Sequence, residues 1–257
     1  MLERYPILPG AEPFFFKGND IGILISHGFV GTPQSIRFLG EYIASQGYTV
    51  YGPRLKGHGT HYEDMERCNF QDWIKSLEDG YHFLRQQCSD IFIIGQSMGG
   101  TLTLNLASKY SDIQGAVLIN AALTTIPVME EYRVKQLPRF IDEGSPDIKA
   151  TDVFEIAYEK APIRSIQQLL SLMDETRKKL PNVKSPLLAF QSVEDHVVPP
   201  ENTDYIMARI QSDFKENIPL YNSYHVASMD NEKEFIAKQC CLFIEKFARN
   251  QREMEIL

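Results

Sequence analysis

Short apolar segments alternate with amphipathic segments along most of the chain, and this alternation limits the possible folds more than any other feature. One predicted strand ends with PFFF (13–16). The others are IGILIS (21–26), YTVYG (48–52), IFIIG (91–95), GAVLIN (115–120), PLLAFQS (186–192) and NIPLYN (217–222). Between them lie stretches with apolar residues at helical spacing, such as 69–88. Continuously apolar strands that alternate with helices are typical of a mainly parallel sheet with helices on both faces. The sequence therefore predicts the α/β class with a mostly parallel central sheet.

The alternation stops between Ala121 and about Val183, where the sequence shows no strand-like run. This stretch contains polar helical pieces, several prolines and one amphipathic segment, SIQQLLSLMDETRKKL (165–180). An insertion of roughly 60 residues in a βα series exceeds an ordinary connection and is typical of a functional element such as a lid. We expect one structural domain, with a core formed by 1–120 and 184–257 and a small cap or lid formed by 121–183.

The charge and the first residues of the chain exclude several classes of protein. The formal net charge of −8 makes nucleic acid or an anionic membrane surface a poor partner, because the overall field repels both. Two prolines precede any apolar run long enough for a signal peptide, and no stretch approaches the roughly 18 apolar residues of a spanning helix. We therefore expect a cytoplasmic protein without stable membrane insertion.

The cysteines agree with a reducing compartment. No pair has CxxC spacing, and two are adjacent on a predicted helix, so a metal site or a disulfide framework is disfavoured. The four residues, expected to be reduced, are Cys68, Cys88, Cys240 and Cys241.

A single serine stands at one of the strand-to-helix junctions. Gly95-Gln96-Ser97-Met98-Gly99 overlaps the end of the apolar run IFIIG and leads into a helical stretch that begins at Met98. The G-x-S-x-G pattern alone arises by chance in roughly one chain of this length in ten, so the flanking strand and helix carry the inference. The glycines relieve crowding in so sharp a bend, and the helix N-terminus points amides toward negative charge beside Ser97. The segment predicts a serine nucleophile; a structural turn with an unreactive serine is the alternative.

A serine hydroxyl needs a base within hydrogen-bond reach and a group that orients that base. After a turn of this kind, the acid and then the histidine are expected to follow later strands. The loop VEDHVVPP offers Glu194 and Asp195 as the acid, and NSYHVASMD offers His225 as the base. Only His225 combines the expected order with a position at a strand end; a surface histidine without a role in catalysis is the alternative. The competing histidines are His27, His58, His61, His82 and His196.

Acyl transfer develops negative charge on an oxygen, which preorganised donors such as backbone amides can stabilise. One amide is expected from Met98, the residue after the serine. The second is expected from the loop that follows the strand 21–26. In that loop, glycines on both sides of Phe29 and Val30 let an amide turn inward. A plain glycine-rich turn is the alternative.

Several blocks that are longer than a catalytic pentapeptide carry a resemblance to a known family. The blocks are HGF (27–29), RLKGHGTH (54–61), GQSMGG (95–100), INAAL (119–123), EDHVVPP (194–200) and NSYHVA (222–227). They resemble the bacterial monoacylglycerol lipases and the related small carboxylesterases. The likeness runs over nearly the whole chain, and LPRFID and EIAYEKAP extend it into the insertion. It implies the α/β-hydrolase fold with a small cap.

The resemblance also implies which residues carry out catalysis. Ser97 is the implied nucleophile, Asp195 the orienting acid and His225 the base. The backbone amides of Phe29 and Met98 are the implied oxyanion donors.

The resemblance further implies that Asn120 and Glu155 lie near a glycerol leaving group. Taken alone, Glu155 also fits a solvated helix charge, and Asn120 fits a strand-end residue that bonds local backbone. One departure from the family lies at Gly144-Ser145-Pro146, where a bulkier apolar residue is expected to face the leaving group. This departure argues against a strict preference for monoacylglycerols.

These features predict a serine hydrolase that cleaves carboxylic esters through an acyl-enzyme, most specifically monoacylglycerols to glycerol and free fatty acid. The partner is a small ester or lipid, and the reaction needs no metal or organic cofactor. Apolar residues of the insertion are candidates for an acyl tunnel, although such helical stripes are more often simple packing. These residues are Leu169, Leu170, Leu172 and Met173.

Three alternatives stay open at this point. A general carboxylesterase, a thioesterase or a perhydrolase would share every catalytic residue. Hydrolases that use aspartate as nucleophile, such as dehalogenases, are disfavoured by serine at position 97. A non-catalytic small-molecule sensor on the same fold is the alternative from another class. The oligomeric state is left open.

Overall fold

A computed structural model describes residues 2–135 and 137–248, and its main sheet is largely parallel. The strands of this sheet are β1 (Phe14–Phe16), β2 (Ile21–Ser26), β3 (Thr49–Gly52), β4 (Asp90–Gln96), β5 (Ile113–Ile119), β8 (Leu187–Ser192) and β9 (Lys215–Leu220). They lie in the order β1-β3-β2-β4-β5-β8-β9. Only the edge strand β1 is antiparallel to its neighbour. The predicted mostly parallel sheet is therefore confirmed.

Helices cover both faces of this sheet, as predicted. They are α1 (Gln34–Ser45), α2 (Tyr62–Glu66), α3 (Phe70–Arg85), α4 (Met98–Lys109), α5 (Pro127–Glu130), α6 (Ile163–Lys179), α7 (Glu201–Arg209) and α8 (Lys233–Phe247). Helices α1 and α8 pack together on one face, while α3, α4 and α6 pack on the other. No helix in the described part of the chain is both long and apolar enough to cross a membrane.

The central strands are buried on both sides, which explains their continuous apolar sequences. Every residue of β2 and of β4 is buried. Ile23 and Ile25 belong to the core beneath α1 and α8, whereas Leu24, which lies between them, belongs to the core on the opposite face. Since β4, β5, β8 and β9 are parallel, their carboxyl ends meet at one edge of the sheet, and the loops that follow them lie close together.

The insertion (residues 121–183) contains two short strands that the sequence did not reveal. Strands β6 (Phe140–Asp142) and β7 (Lys160–Pro162) form an antiparallel pair separate from the main sheet. The expectation of no strand in this stretch was therefore wrong. Strands of only three residues are too short to show a period of two, and their partners lie far apart in sequence.

The amphipathic segment of the insertion forms α6, as its spacing predicted, and its apolar face packs against α4. The division into a core and a cap at 121 and 183 stays a prediction. Met1, Gln136 and residues 249–257, which that division includes, lie outside the described residues, as does the end of the helix that the sequence predicts over 232–250.

Candidate active site

Ser97 occupies the tip of a sharp turn between β4 and α4. Its φ is 56°, a positive value that costs a non-glycine residue about 1–3 kcal/mol. A Cβ at Gly95 would overlap the carbonyl oxygen of Gly99, and one at Gly99 would overlap that of Ser26. The glycines are needed because backbone meets backbone at this turn, which leaves Ser97 at the carboxyl edge of the sheet.

Three side chains from different loops meet at this edge. His225 Nε2 lies 2.9 Å from Ser97 Oγ, and His225 Nδ1 lies 2.8 Å from Asp195 Oδ2. The Asp195 and His225 side chains are almost fully buried, with 2% and 8% exposure. Glu194 instead pairs with Lys149 at the surface, so Asp195 is the acid in contact with the histidine.

The environment favours one orientation of this imidazole. Asp195 Oδ1 accepts hydrogen bonds from the backbone amides of Val197 and Val198, which fixes the carboxylate. Burial is the largest single influence and lowers the pKa of His225, but Asp195, Asp147 and Glu155 together outweigh it, so this pKa is raised above its ordinary value. With Nδ1–H directed at Asp195, Nε2 is left to accept the Ser97 proton.

Asn120 holds the loop that carries His225 through backbone contacts. Its Nδ2 donates to the carbonyl oxygens of Tyr224 and His225, at 3.2 and 2.9 Å, and to Ser192 Oγ at 2.9 Å. Its Oδ1 accepts the amide of Ser192 at 2.8 Å. Both ends of its amide are thus occupied by protein. Asn120 is not among the described residues that line the cavity over Ser97, and its contact with a substrate stays a prediction.

Gln96, which the sequence analysis did not single out, supports the same loop. Its Nε2 donates to the His225 carbonyl oxygen at 2.7 Å, and its Oε1 accepts the amide of Ser228 at 3.4 Å. Its position directly before Ser97, at the carboxyl end of a buried strand, is the signal that could have found it.

The two amides expected at the oxyanion site have no competing acceptor. In the described ranges, neither the amide of Phe29 nor that of Met98 donates a hydrogen bond to protein. The loop after β2 lies against the serine, since a Cβ at Gly28 would be 3.2 Å from Ser97 Cβ. Val30 has a φ of 55°, which gives this loop its inward turn.

His27 stabilises the loop after β2 through hydrogen bonds of its imidazole. It is fully buried, with Nδ1 3.0 Å from the Gly28 carbonyl oxygen and Nε2 3.2 Å from the amide of Leu55. Burial, with the nearby His58, lowers the pKa of His27 well below its ordinary value, so the ring is neutral. Of the other competing histidines, His196 contacts Asp147, and none of the remaining ones lines the cavity around Ser97.

A cavity of about 430 Å³ opens over Ser97 and His225. One part of its wall is apolar. The rest carries four carboxyl groups and, among the described residues, no lysine or arginine; the acids are Glu143, Asp147, Glu155 and Glu159. The main apolar wall residues are Phe29, Ile126, Met129, Leu169, Val197 and Val226. Of the four residues proposed for an acyl tunnel, only Leu169 lines this cavity, and Leu170, Leu172 and Met173 pack in the core. This arrangement fits an ester with an apolar acyl chain and a neutral or cationic alcohol.

Glu155 lines this cavity, and its place beside a leaving group stays a prediction. Burial raises its pKa to about 7, although the nearby His225 acts in the opposite direction. Gln34 fixes the backbone on both sides of it, because its Nε2 donates to the Phe154 carbonyl oxygen at 2.8 Å and its Oε1 accepts the Ile156 amide at 3.0 Å. Gln34 was not foreseen, since its partners lie more than a hundred residues away in sequence.

The segment that precedes Glu155 contributes two further carboxyl groups, Glu143 and Asp147. Burial raises the pKa of Glu143 to about 7, and its Oε1 is buried with no hydrogen-bond partner among the residues described. Between the two acids, Gly144, Ser145 and Pro146 are exposed and line the cavity, and a Cβ at Gly144 would meet no atom within 4 Å. The wall is therefore open where a bulkier apolar residue was expected.

No group of three histidine, cysteine, aspartate or glutamate residues within 2–135 and 137–248 is arranged to hold a metal ion. The expectation that catalysis needs no metal or cofactor stays a prediction.

Comparison with known proteins identifies a family and two relatives of this chain. The family model described as serine aminopeptidase, S33 (Hydrolase_4) matches residues 19–232. A thermostable monoacylglycerol lipase of Bacillus sp. (strain H-257) is 51% identical over 96% of this chain and 100% of its own. A carboxylesterase of Bacillus subtilis (strain 168) is 29% identical over 91% of this chain and 96% of its own.

A solved structure gives the same result. A chain from work on LipS and LipT, two metagenome-derived lipolytic enzymes, superposes with a TM-score of 0.91 at 42% identity. The match covers 94% of this chain and 100% of that one. The resemblance to monoacylglycerol lipases, and with it the α/β-hydrolase fold, is confirmed. The matches to the Bacillus sp. lipase and to this solved structure extend over nearly the whole chain. The chain belongs to the serine aminopeptidase S33 (Hydrolase_4) family.

Proposed function

We propose that the protein is a serine hydrolase that cleaves carboxylic esters, with monoacylglycerols as its main substrates. The observation that carries the proposal is the chain of two hydrogen bonds from Ser97 through His225 to Asp195 at the floor of a cavity. A non-catalytic sensor would have no need of a serine at positive φ joined to a buried histidine and carboxylate.

The reaction follows from this geometry in two steps. His225 Nε2 takes the proton of Ser97 Oγ as that oxygen attacks the ester carbonyl carbon. Asp195 holds the imidazole and stabilises its positive charge. The amides of Phe29 and Met98 donate to the oxygen that becomes negative. The tetrahedral intermediate collapses as His225 protonates the departing alcohol, which leaves an acyl group on Ser97. His225 then takes a proton from water as the water oxygen attacks the acyl carbonyl carbon. The bond to Ser97 Oγ breaks, the fatty acid leaves, and His225 returns the proton to Ser97.

The cavity and the relatives support monoacylglycerols as the substrate class. The apolar wall suits a single acyl chain, and the carboxyl of Glu155 can accept hydrogen bonds from glycerol hydroxyls. The Bacillus sp. relative, which is 51% identical, is a monoacylglycerol lipase. No lysine or arginine of the described residues lines the wall, which disfavours alcohols with a negative charge.

A general carboxylesterase is the second candidate, and one observation favours it. The wall at Gly144, Ser145 and Pro146 is open, so alcohols of other shapes have room. The Bacillus subtilis relative is a carboxylesterase. Thioesters would use the same catalytic groups.

A cytoplasmic location is also proposed. It rests on the four cysteines, which are all free in the structure, as is usual for a reducing compartment.

The experiment is a hydrolysis panel on the wild type and on Glu155→Gln, with the exposed Glu216→Gln as a control. Mono-, di- and triacylglycerols are compared with nitrophenyl esters of the same acyl chains. We expect the wild type to prefer monoacylglycerols, because their alcohol carries the hydroxyl groups that Glu155 binds. Glu155→Gln should lower kcat/KM for monoacylglycerols about 10-fold relative to the nitrophenyl esters, the value of one hydrogen bond to a charged group.

Equal losses on both substrate classes would contradict the assigned contact of Glu155. A wild type without preference for monoacylglycerols would favour the general carboxylesterase, and a wild type that hydrolyses no ester would refute the proposed function.

A further inference from the structure

A short segment of the insertion lies against the loop that carries His225. This strap (residues 147–150) makes three backbone contacts with that loop. The carbonyl oxygen of Asp147 accepts the amide of Val226 at 3.1 Å. The amides of Lys149 and Ala150 donate to the carboxylate of Asp230 at 2.8 and 2.9 Å. Asp230 is 1% exposed and also accepts the Tyr224 amide at 2.8 Å, so the strap and the histidine loop share one buried anchor.

The Asp147 carboxylate joins this loop to a second one. Its Oδ2 accepts the backbone amides of His225 and His196, both at 3.1 Å. Its Oδ1 lies 2.8 Å from His196 Nδ1. His196 directly follows Asp195, so one carboxylate contacts the backbone of both loops that supply the acid and the base.

These contacts separate Asp147 from the other acids of the cavity wall. Glu143 and Glu155 have no hydrogen-bond donor in the described part of the chain and remain free to meet a ligand. Both oxygens of Asp147 are already occupied by protein donors. Its contacts therefore suit a role in holding the loops rather than in binding substrate.

We propose that Asp147 is a positioning residue, through which the insertion holds His225 and the Asp195 loop in their reactive arrangement. This inference rests on the proposed function. It means that the strap serves the chemical step for every ester, including those too small to reach the rest of the insertion.

The charge of Asp147 predicts a second measurable effect, a change in the pKa of His225. The charged groups that face the His225 imidazole are Asp195, Asp147 and Glu155, and each favours the protonated ring. Removal of the Asp147 charge should therefore lower the pKa of His225. This shift reports that Asp147 lies beside the ring, and a loss of kcat with KM retained reports that it positions the ring.

The test compares Asp147→Asn and Asp147→Ala with Asp152→Asn, an exposed acid of the insertion. Each variant is assayed on nitrophenyl acetate and on a long-chain monoacylglycerol, with kcat and KM separated and kcat/KM followed from pH 5 to 9. Circular dichroism and thermal melting show whether each variant is folded. If Asp147→Ala is not folded, Asp147→Asn, which keeps the side-chain volume, is the test variant.

We expect kcat to fall between about 10-fold and 100-fold on both esters, the usual effect of a small misplacement of a catalytic group. KM should change less than about 3-fold. In Asp147→Asn, the pH below which kcat/KM falls should be lower than in the wild type. Asp152→Asn should match the wild type.

An unchanged kcat for Asp147→Asn, or a loss confined to KM for the monoacylglycerol, would overturn the proposal. Both results require an active wild type, so they are distinct from failure of the proposed function, in which the wild type itself hydrolyses neither ester.

Discussion

The carboxyl groups around the cavity differ in the hydrogen-bond donors that they contact, and this difference indicates different roles. Asp195 accepts two backbone amides and the imidazole of His225, so it is fixed and suited to orient a base. Glu143 and Glu155 have no such donors in the described residues, and burial raises the pKa of each to about 7. An unpaired buried carboxyl is unfavourable for the free protein, and a ligand with hydroxyl groups would relieve this.

Glu143 makes stability depend on pH in a defined direction. Its folded pKa of about 7 lies above the ordinary value of 4.5, so the folded state holds its proton more tightly than the unfolded state. The contribution is most favourable below about pH 4.5 and is lost as the pH rises to about 7. We expect Glu143→Gln to increase the free energy of unfolding by about 1–3 kcal/mol at pH 8 and by much less at pH 5. Urea unfolding at the two pH values measures this difference.

The exposed Glu216→Gln is the matched control and should show no such dependence. If Glu143→Gln had the same effect at pH 5 and pH 8, the carboxyl would not be titrating in the buried state described.

Sequence order pointed to the three residues that meet beside the cavity but not to the residues that hold them. Ser97, Asp195 and His225 follow strands in a fixed order, which the sequence displays directly. Gln34 and Asp147 act through backbone groups that lie tens of residues away or more. Such contacts leave no local pattern, so they became visible only in the folded chain.

At the scale of elements, the junction of β4 and α4 is the most constrained part of the site. Gly95→Ala would drive its Cβ into the carbonyl oxygen of Gly99, so the turn must open and move Ser97. We expect a loss of about 3 kcal/mol or more in the free energy of unfolding, together with most of the esterase activity. Denaturant unfolding and nitrophenyl ester hydrolysis measure the two effects.

Gly47→Ala is the control for backbone conformation alone. Gly47 has a φ of 93°, and a Cβ there would meet no atom within 4 Å. We expect a loss of only about 1–2 kcal/mol and unchanged activity. Equal behaviour of the two variants would show that crowding at Gly95 is not the limiting factor.

The strands β2, β4, β5 and β8 were predictable because burial on both faces leaves apolar runs between helices. The pair β6 and β7, which lies in the insertion outside the main sheet, has no such run. Its strands are held by their mutual pairing and by neighbouring segments, so their sequences carry little signal.

At the scale of the whole molecule, the insertion is fastened to the rest of the chain near the oxyanion loop as well as at the strap. The amide of Tyr158 donates to the Val30 carbonyl oxygen at 3.2 Å, and its hydroxyl donates to the Gly57 carbonyl oxygen at 2.7 Å. Gln34 holds the backbone on both sides of Glu155. The proposed leaving-group site therefore rests on contacts between the insertion and the sheet edge, which no single segment of sequence could reveal.

The most direct test is covalent labelling of the intact protein with a fluorophosphonate, followed by mass spectrometry and esterase assay of the wild type and Ser97→Ala. We predict one adduct per chain, located on Ser97, with complete loss of activity. Ser97→Ala should take up no label and lose about 10⁴-fold or more in kcat. Labelling at another residue, or most of the esterase activity retained in Ser97→Ala, would contradict the assignment of Ser97 as the nucleophile.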